Sequence, residues 1–356
     1  MTDLLALTAQ LVDVASESYR EAALAGWIEA ELRAVPGLEV TRVGDNVVAR
    51  TTQGREQRVV LAGHTDTVPA NGDNATPRVE GDVLWGLGAS DMKSGLAVML
   101  DLARTLRDPA VDVTYVFYAR EEVAAVDSGL AELIEVRPDL LVGDLAILGE
   151  PTEGTVEAGC QGTLRFLVTL TGVRAHPARP WMGRNAIHRL AGLLAAVADV
   201  PERRPVLAGC EYREALQALA VEGGVAGNVV PDRAVLTLNH RFAPDRTPEQ
   251  AAAHVRSIVL PFLEDGDTVE LVDSAPAAPP AVDHPLLAGM IERHGLEVRA
   301  KLGWTDVARF AALGVPAANL GPGDATLAHH PDERVHRAPL DACRAALGDL
   351  LGATAP

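Results

Sequence analysis

The stretch RVVLAGHTDTVP, residues 58–69, decides how the rest of the chain is read. Residues 58–63 form a short apolar run with two valines, the pattern of a strand buried on both faces. His64 and Asp66 follow where that strand ends. Residues two apart in an extended segment point the same way, so one can bind a metal while the other accepts its second ring N–H and fixes the tautomer. Alone, a His-x-Asp pair is an ordinary loop sequence. Its weight comes from what stands on either side.

Apolar runs and helical patterns alternate around it. Residues 4–14, 21–34 and 94–107 read as helices, and 112–119 (DVTYVFYA) and 144–148 (DLAIL) as strands. This alternation predicts an α/β layer with a largely parallel sheet. The middle differs. Residues 164–172 (LRFLVTLTG), 234–241 (AVLTLNHR) and 268–273 read as strands, and 185–198 and 249–263 as helices, giving a smaller α+β unit with its own sheet. SAPAAPPAVD, residues 274–283, is a Pro/Ala linker. A helix near 285–294 and an apolar run near 315–320 then resume the first pattern. The chain of 356 residues exceeds usual single-domain length. We expect an α/β domain in two parts, 1–160 and 274–356, interrupted by an inserted domain at 161–273.

The formal charge of -18, from 49 acidic and 31 basic residues, repels phosphate backbones and anionic lipid. Neither nucleic acid nor membrane is an expected partner. The start, MTDLLALTAQLVDVASESY, lacks a basic n-region and carries Asp3 and Asp13 within its apolar pattern, so we expect an amphipathic helix rather than a leader or membrane span. Cys160, Cys210 and Cys343 are odd in number and widely spaced. They indicate neither a disulfide framework nor a thiolate zinc site, and a reducing cytoplasm is the expected compartment.

Further chemistry sits where strands stop. Asp91 lies in GLGASDMKSG, a Gly-rich turn opening a helix; Glu121 and Glu122 follow the strand 112–119; Glu150 ends 144–148 in ILGEPT. Ligands of open α/β sheets bind outside the carboxyl ends of the strands, so these loops should converge. Carboxylates with imidazole suit a divalent ion, and imidazole tilts the choice toward zinc over magnesium. Two ions roughly 3.5–4 Å apart can share a carboxylate, polarise a carbonyl and activate water. A carboxylate left unligated would serve as general base. Adjacent glutamates on a regular strand point to opposite faces, so a bend after Ala119 is required if both serve. The ordinary readings are a helix N-cap for Asp91, a turn residue for Glu150 and a solvated face for the glutamates.

The order HTDTVP, GLGASDMKSG, EE, GEPT, RAHPARPWMGRNAI, GNVVPD and AHHPDERV resembles the metallopeptidase and deacylase family of aminoacylases, acetylornithine deacetylases and succinyl-diaminopimelate desuccinylases, over nearly the whole chain. The resemblance implies a two-zinc exopeptidase-like catalytic domain, cobalt being the alternative in one site, with an inserted α+β lid that forms a homodimer. It implies that His64, Asp91 and Glu150 hold one metal, with Asp91 bridging. Glu122 and a C-terminal His hold the other, and Glu121 is the base. The resemblance places that His four residues before the Glu of a DE pair, here Glu333, which gives His329, with His330 its competitor. Arg120 stands where the family more often has an acidic residue. The Asp91–Met92 peptide is expected to be cis.

In the lid, the ordinary reading of His176 is a turn residue, and that of Arg241 a salt bridge to Asp232 or Asp245. The resemblance instead makes His176 an oxyanion donor crossing from the partner subunit. It makes Arg241, with Asn228, a grip on a substrate carboxylate, for which a planar guanidinium is suited. Gly303 and Thr305, in GWTDVARF, resemble the family's substrate loop. EAGCQGT, GWTDVARF and GPGDATLAHHPDE lie nearest the actinobacterial desuccinylase branch. The implied reaction is hydrolysis of N-succinyl-LL-2,6-diaminopimelate. Another N-acyl amino acid deacylase, a dipeptidase and a metal-free binding protein are the alternatives. Many desuccinylases have Arg-Arg-Gly-Ser where this chain has Cys160-Gln161-Gly162-Thr163, so one carboxylate-binding Arg is missing. Arg179 is the replacement expected from sequence.

Overall fold

The computed structural model describes residues 2–352. It divides into two compact units. The first is the chain up to Ala158, Pro280–Arg299 and the chain from Arg309; the second is Gly159–Pro279 with Ala300–Ala308. The Pro/Ala stretch therefore straddles a crossing instead of marking one edge. The strand Thr268–Ala275 continues into it, and only from Pro280 does the chain rejoin the first unit. The return of Ala300–Ala308 to the second unit carries Gly303 and Thr305 there. No shift in composition announces it.

In the first unit an eight-stranded sheet runs in the order Leu38–Val43, Asn46–Thr51, Asp112–Tyr118, Arg58–His64, Leu145–Leu148, Ala317–Asn319, Val156–Ala158, Val298–Ala300. Its centre is parallel: Arg58–His64 pairs in parallel with both Asp112–Tyr118 and Leu145–Leu148, which pairs in parallel with Ala317–Asn319. These strands are almost wholly buried, which is why their sequences are continuous apolar runs. An antiparallel hairpin, Leu38–Val43 with Asn46–Thr51, extends the sheet through a turn in which Gly44 has φ of 57°. Helices Leu4–Asp13, Ala22–Arg33, Lys93–Thr105 and Arg337–Leu350 share one core with the strands, through Leu5, Ile28, Leu96 and Leu347. Asp3 caps the first helix by accepting from the amides of Leu5 and Ala6.

The second unit holds a four-stranded antiparallel sheet in the order Ala215–Gly223, Arg233–Phe242, Gly162–Thr171, Thr268–Ala275. Strict alternation along Gly162–Thr171 turns Leu164, Phe166, Val168 and Leu170 to one face. There they meet Leu190, Leu193, Val255 and Val259 of the helices Ala186–Ala198 and Pro248–Val259. Each such burial stabilises by about 1.5–3 kcal/mol. Asn185 caps the first of these helices, and a Thr247–Gln250 capping box with Pro248 in the first turn begins the second. The three cysteines are free and buried. No helix among the described residues is long and apolar enough to cross a membrane.

Candidate metal centre

The sheet register brings the chemistry to one edge. His64 is paired with Tyr118, and Ala62 with Leu148, so the chain leaves three parallel strands side by side. Glu121, Glu122 and Glu150 occupy the loops that follow. Gly95 lets the helix Lys93–Thr105 start hard against the loop bearing Glu150: a Cβ there would collide with the Gly149 carbonyl oxygen.

The ligand atoms of His64, Asp91 and Glu150 lie within 4.8 Å of one another, and so do those of Asp91, Glu122 and His329. Asp91 belongs to both sets. A third grouping, His64 with Glu121 and Glu122, meets the same limit. His64 Nε2 is 3.1 Å from Asp91 Oδ1, and His329 Nε2 is 2.8 Å from Glu122 Oε1 and 3.9 Å from Asp91 Oδ2. His329 sits at φ of 63°, a strained backbone that aims its ring into the cluster. The His330 ring is half exposed and accepts instead from the Asp332 amide at 3.1 Å.

The bend required after Ala119 is present. The strand ends at Tyr118, and Arg120 has φ of 60°. Glu121 N–H then donates to Asp66 Oδ1 at 2.9 Å and Glu122 N–H to Asp66 Oδ2 at 3.1 Å, so one buried carboxylate anchors both glutamates. This revises one detail of the His64–Asp66 pair. The His64 Nδ1 lies 3.0 Å from the Asp66 carbonyl oxygen but 3.5 Å from its carboxylate, which the loop amides have engaged. The Arg120 guanidinium donates to Glu132 at 2.6 Å and to the Asp127 carbonyl at 2.7 Å and to none of the candidate ligands. The Asp91–Met92 bond is cis.

Electrostatics test whether a cation fits. Burial would raise the Asp66 carboxyl, but His64 and the loop amides outweigh it and hold it at about 2. Burial disfavours a His64 imidazolium, yet Asp66 and Asp91 lift its pKa well above the ordinary value. Burial, with the charge of Asp91 adding to it, raises Glu122. Carboxylates packed this closely around two imidazoles call for positive charge at their centre. Divalent ions supply it and reverse the logic at the imidazoles, which must be neutral to coordinate. The residues present fit such ions.

One residue of this centre was not identified from sequence. Glu333, only 1% exposed, accepts from the amides of Gly88 at 3.0 Å, Ser90 at 2.9 Å and Asp91 at 2.9 Å. Its carboxylate therefore shapes the turn that presents Asp91. Burial raises its pKa to about 7 against those amides. A Cβ at Gly323 would strike the Ser90 carbonyl, so the segment leading to His329 lies on the same turn. The available signal was an acidic residue four positions beyond a candidate ligand, which marked His329 and nothing more.

The remaining candidates lie in the second unit. His176 is exposed, and its Nδ1 accepts from the Ala178 amide at 3.1 Å. A neutral ring must then carry its proton on Nε2, making that nitrogen a donor. Arg241 makes neither salt bridge: Asp232 pairs with Arg174 at 2.7 Å and Asp245 with Arg203 at 2.9 Å. Burial and the neighbouring Arg165 lower its pKa. Thr163 stands across the ladder from Arg241, its hydroxyl accepting from the Asn239 amide at 2.9 Å. Asn228, Arg179 and Gly303 are exposed, whereas Thr305 is buried. Cys160 is wholly buried, its Sγ 3.7 Å from the Thr305 carbonyl.

The model of a protein family described as peptidase family M20/M25/M40 matches residues 60–353. A Mycobacterium tuberculosis protein provisionally named succinyl-diaminopimelate desuccinylase is 52% identical over 336 residues, covering 94% of this chain and 93% of its own. The succinyl-diaminopimelate desuccinylase of Corynebacterium glutamicum is 46% identical over 338 residues, covering 93% and 91%. Among solved structures, an M20 family metallo-carboxypeptidase from Sulfolobus solfataricus has a TM-score of 0.80 at 17% identity, covering 99% of both chains.

Proposed function

The chain belongs to peptidase family M20/M25/M40, and from that membership we propose that it is a succinyl-diaminopimelate desuccinylase, hydrolysing N-succinyl-LL-2,6-diaminopimelate to succinate and LL-2,6-diaminopimelate. The observation that carries this reading is the pair of donor sets sharing Asp91, in a chain nearly half identical to a named desuccinylase along almost its full length.

His64, Asp91 and Glu150 would hold one divalent ion and Asp91, Glu122 and His329 the other, zinc being the metal their donors suit best and cobalt the alternative in one site. Bound there, two such ions supply Lewis acidity toward a carbonyl oxygen and toward water. Glu121 takes a proton from the attacking water as its oxygen bonds to the succinyl carbonyl carbon. It returns a proton to the departing nitrogen as the C–N bond breaks, so the base ends unprotonated. Asp66 keeps Glu121 and Glu122 on one side through their amides and holds His64 in one tautomer through its carbonyl. His176 donates from Nε2 to the developing oxyanion from the partner subunit of a homodimer, and such a donor is worth about 2.7–4 kcal/mol. Arg241, Asn228, Thr163, Gly303 and Thr305 receive the substrate, with Arg179 as a further cation on the His176 loop. The enzyme works in the cytoplasm, where its substrate would be made.

Stripping the protein with a chelator and restoring zinc tests the reading. Succinate release from the substrate should vanish on stripping and return at about two equivalents of zinc. Release that persists after complete stripping contradicts the metal reading. Absence of release with zinc or cobalt restored contradicts the activity.

A further inference from the structure

The polar face of the sheet in the second unit carries a second unpaired arginine. Strand register places Thr163 opposite Arg241 and Arg165 opposite Asn239, with Asn239 two residues from Arg241 on the same strand. Side chains two apart on a strand share a face, so Arg165 and Arg241 stand on the same side as diagonal neighbours. The opposite face is the core, holding Leu164, Phe166, Leu238 and Phe242. Diagonal positions are roughly 7–8 Å apart at Cα, within reach for two long side chains aimed at one ligand.

Neither guanidinium has a carboxylate partner among the described residues. The natural candidate for Arg165 is Asp273, its cross-strand neighbour in Thr268–Ala275 beyond an irregularity at Leu271/Asp273. Asp273 is exposed and makes no ion pair with it. Two guanidiniums on one face with no carboxylate between them make a local positive patch that a chain of net charge -18 does not otherwise offer an anion. Meanwhile Cys160, where the resemblance implies an arginine, is sealed in the interior against Thr305. The substrate has three carboxylates.

We propose that Arg165 is a specificity-determining residue, binding a second substrate carboxylate beside the one held by Arg241, on the open face of the lid sheet. This rests on the desuccinylase reading. It moves the task assigned from sequence to Arg179 onto a strand that is paired on both sides. A planar fork on a rigid strand holds a carboxylate with less loss of freedom.

Steady-state kinetics on the zinc-loaded enzyme, with calorimetric titration of succinate and of diaminopimelate separately, tests the proposal. Arg165→Ala should raise KM for the succinylated substrate about tenfold or more, with kcat within about twofold, and should weaken one of the two products by a similar factor. Arg165→Lys should recover part of the loss. Asp273→Ala should stay near wild type. Unchanged KM and unchanged product affinities in Arg165→Ala overturn the proposal. So does an Asp273→Ala variant reproducing the Arg165→Ala loss with a lowered Tm, which identifies a structural pair. Should the wild type release no succinate, the desuccinylase reading fails, while product titration still decides Arg165.

Discussion

Glu121 and Glu333 are buried or half-buried acids around the same cluster, and their contacts differ. Glu121 sits beside the ligands on a loop whose amide is fixed by Asp66. The Glu333 carboxylate accepts from the amides of the turn that presents Asp91. Glu121→Gln should therefore keep its metals and lose about 10²–10⁴ in kcat. Glu333→Gln places an amide donor against backbone donors and distorts the turn. It should weaken metal affinity by about 10–100-fold, while kcat at saturating metal falls less than in Glu121→Gln. Chelator competition and steady-state kinetics on both variants read the contrast, and an inverted order would refute these roles. At this scale the sequence carried much. His64, Asp91, Glu122 and Glu150 stood at strand ends or in a Gly-rich turn, where the backbone dictates position, whereas His329 came only from the resemblance. Glu333 was not legible because its task depends on an approach of residues 88–91 that no local pattern encodes. The hydrogen bond from His64 to the Asp66 carbonyl was equally hidden, because two-residue periodicity gives side-chain direction and not which oxygen is already engaged.

Elements were legible where burial imposes a pattern. The central parallel strands and the helices Leu4–Asp13, Lys93–Thr105 and Ala186–Ala198 follow their apolar periodicity closely. The strand Ala215–Gly223 did not announce itself: ALQALAVEG is rich in helix formers and almost wholly exposed, so neither propensity nor alternation marks it as an edge strand. The hairpin at 38–51 did carry a signal in Gly44-Asp45-Asn46 between alternating apolar residues. The second unit is pinned by Asp267, whose side chain is 0% exposed and accepts from Arg189 at 2.6 and 2.8 Å, Thr171 N at 2.7 Å and Glu264 N at 2.8 Å. Burial opposes its charge, but Arg189 and the amides hold its pKa far below the usual carboxylate range. The folded pKa is depressed, so its contribution is fully present above the unfolded value near about 3.9 and is lost as pH falls below it. Asp267→Ala leaves Arg189 only the longer carboxylate contact to Glu264 at 3.5 Å, strands the Thr171 and Glu264 amides, and should cost about 3–5 kcal/mol at neutral pH. Hydrogen exchange should show the loss in protection across Gly162–Thr171, and the deficit should shrink below pH about 4. An equal deficit at low and neutral pH would contradict the assignment.

At the scale of the molecule, the sequence carried an α/β domain interrupted by a smaller unit, because strand–helix alternation and its interruption are properties of long stretches. It did not carry the excursion at Ala300–Ala308, which changes unit without any change of composition. The general charge of -18 gives no help in drawing a polyanionic substrate, so the proposed reading puts selectivity in local cations such as Arg241 and Arg165. Selectivity for the succinylated substrate is accordingly the central claim. Its most direct test is kcat/KM of one zinc-loaded preparation on N-succinyl-LL-2,6-diaminopimelate, N-acetylornithine and a dipeptide. A pocket built to pair a charged group rejects analogues lacking it by about 10² or more, so the succinylated substrate should lead by at least that factor. Equal values across the three, or a lead for the dipeptide, would contradict the account.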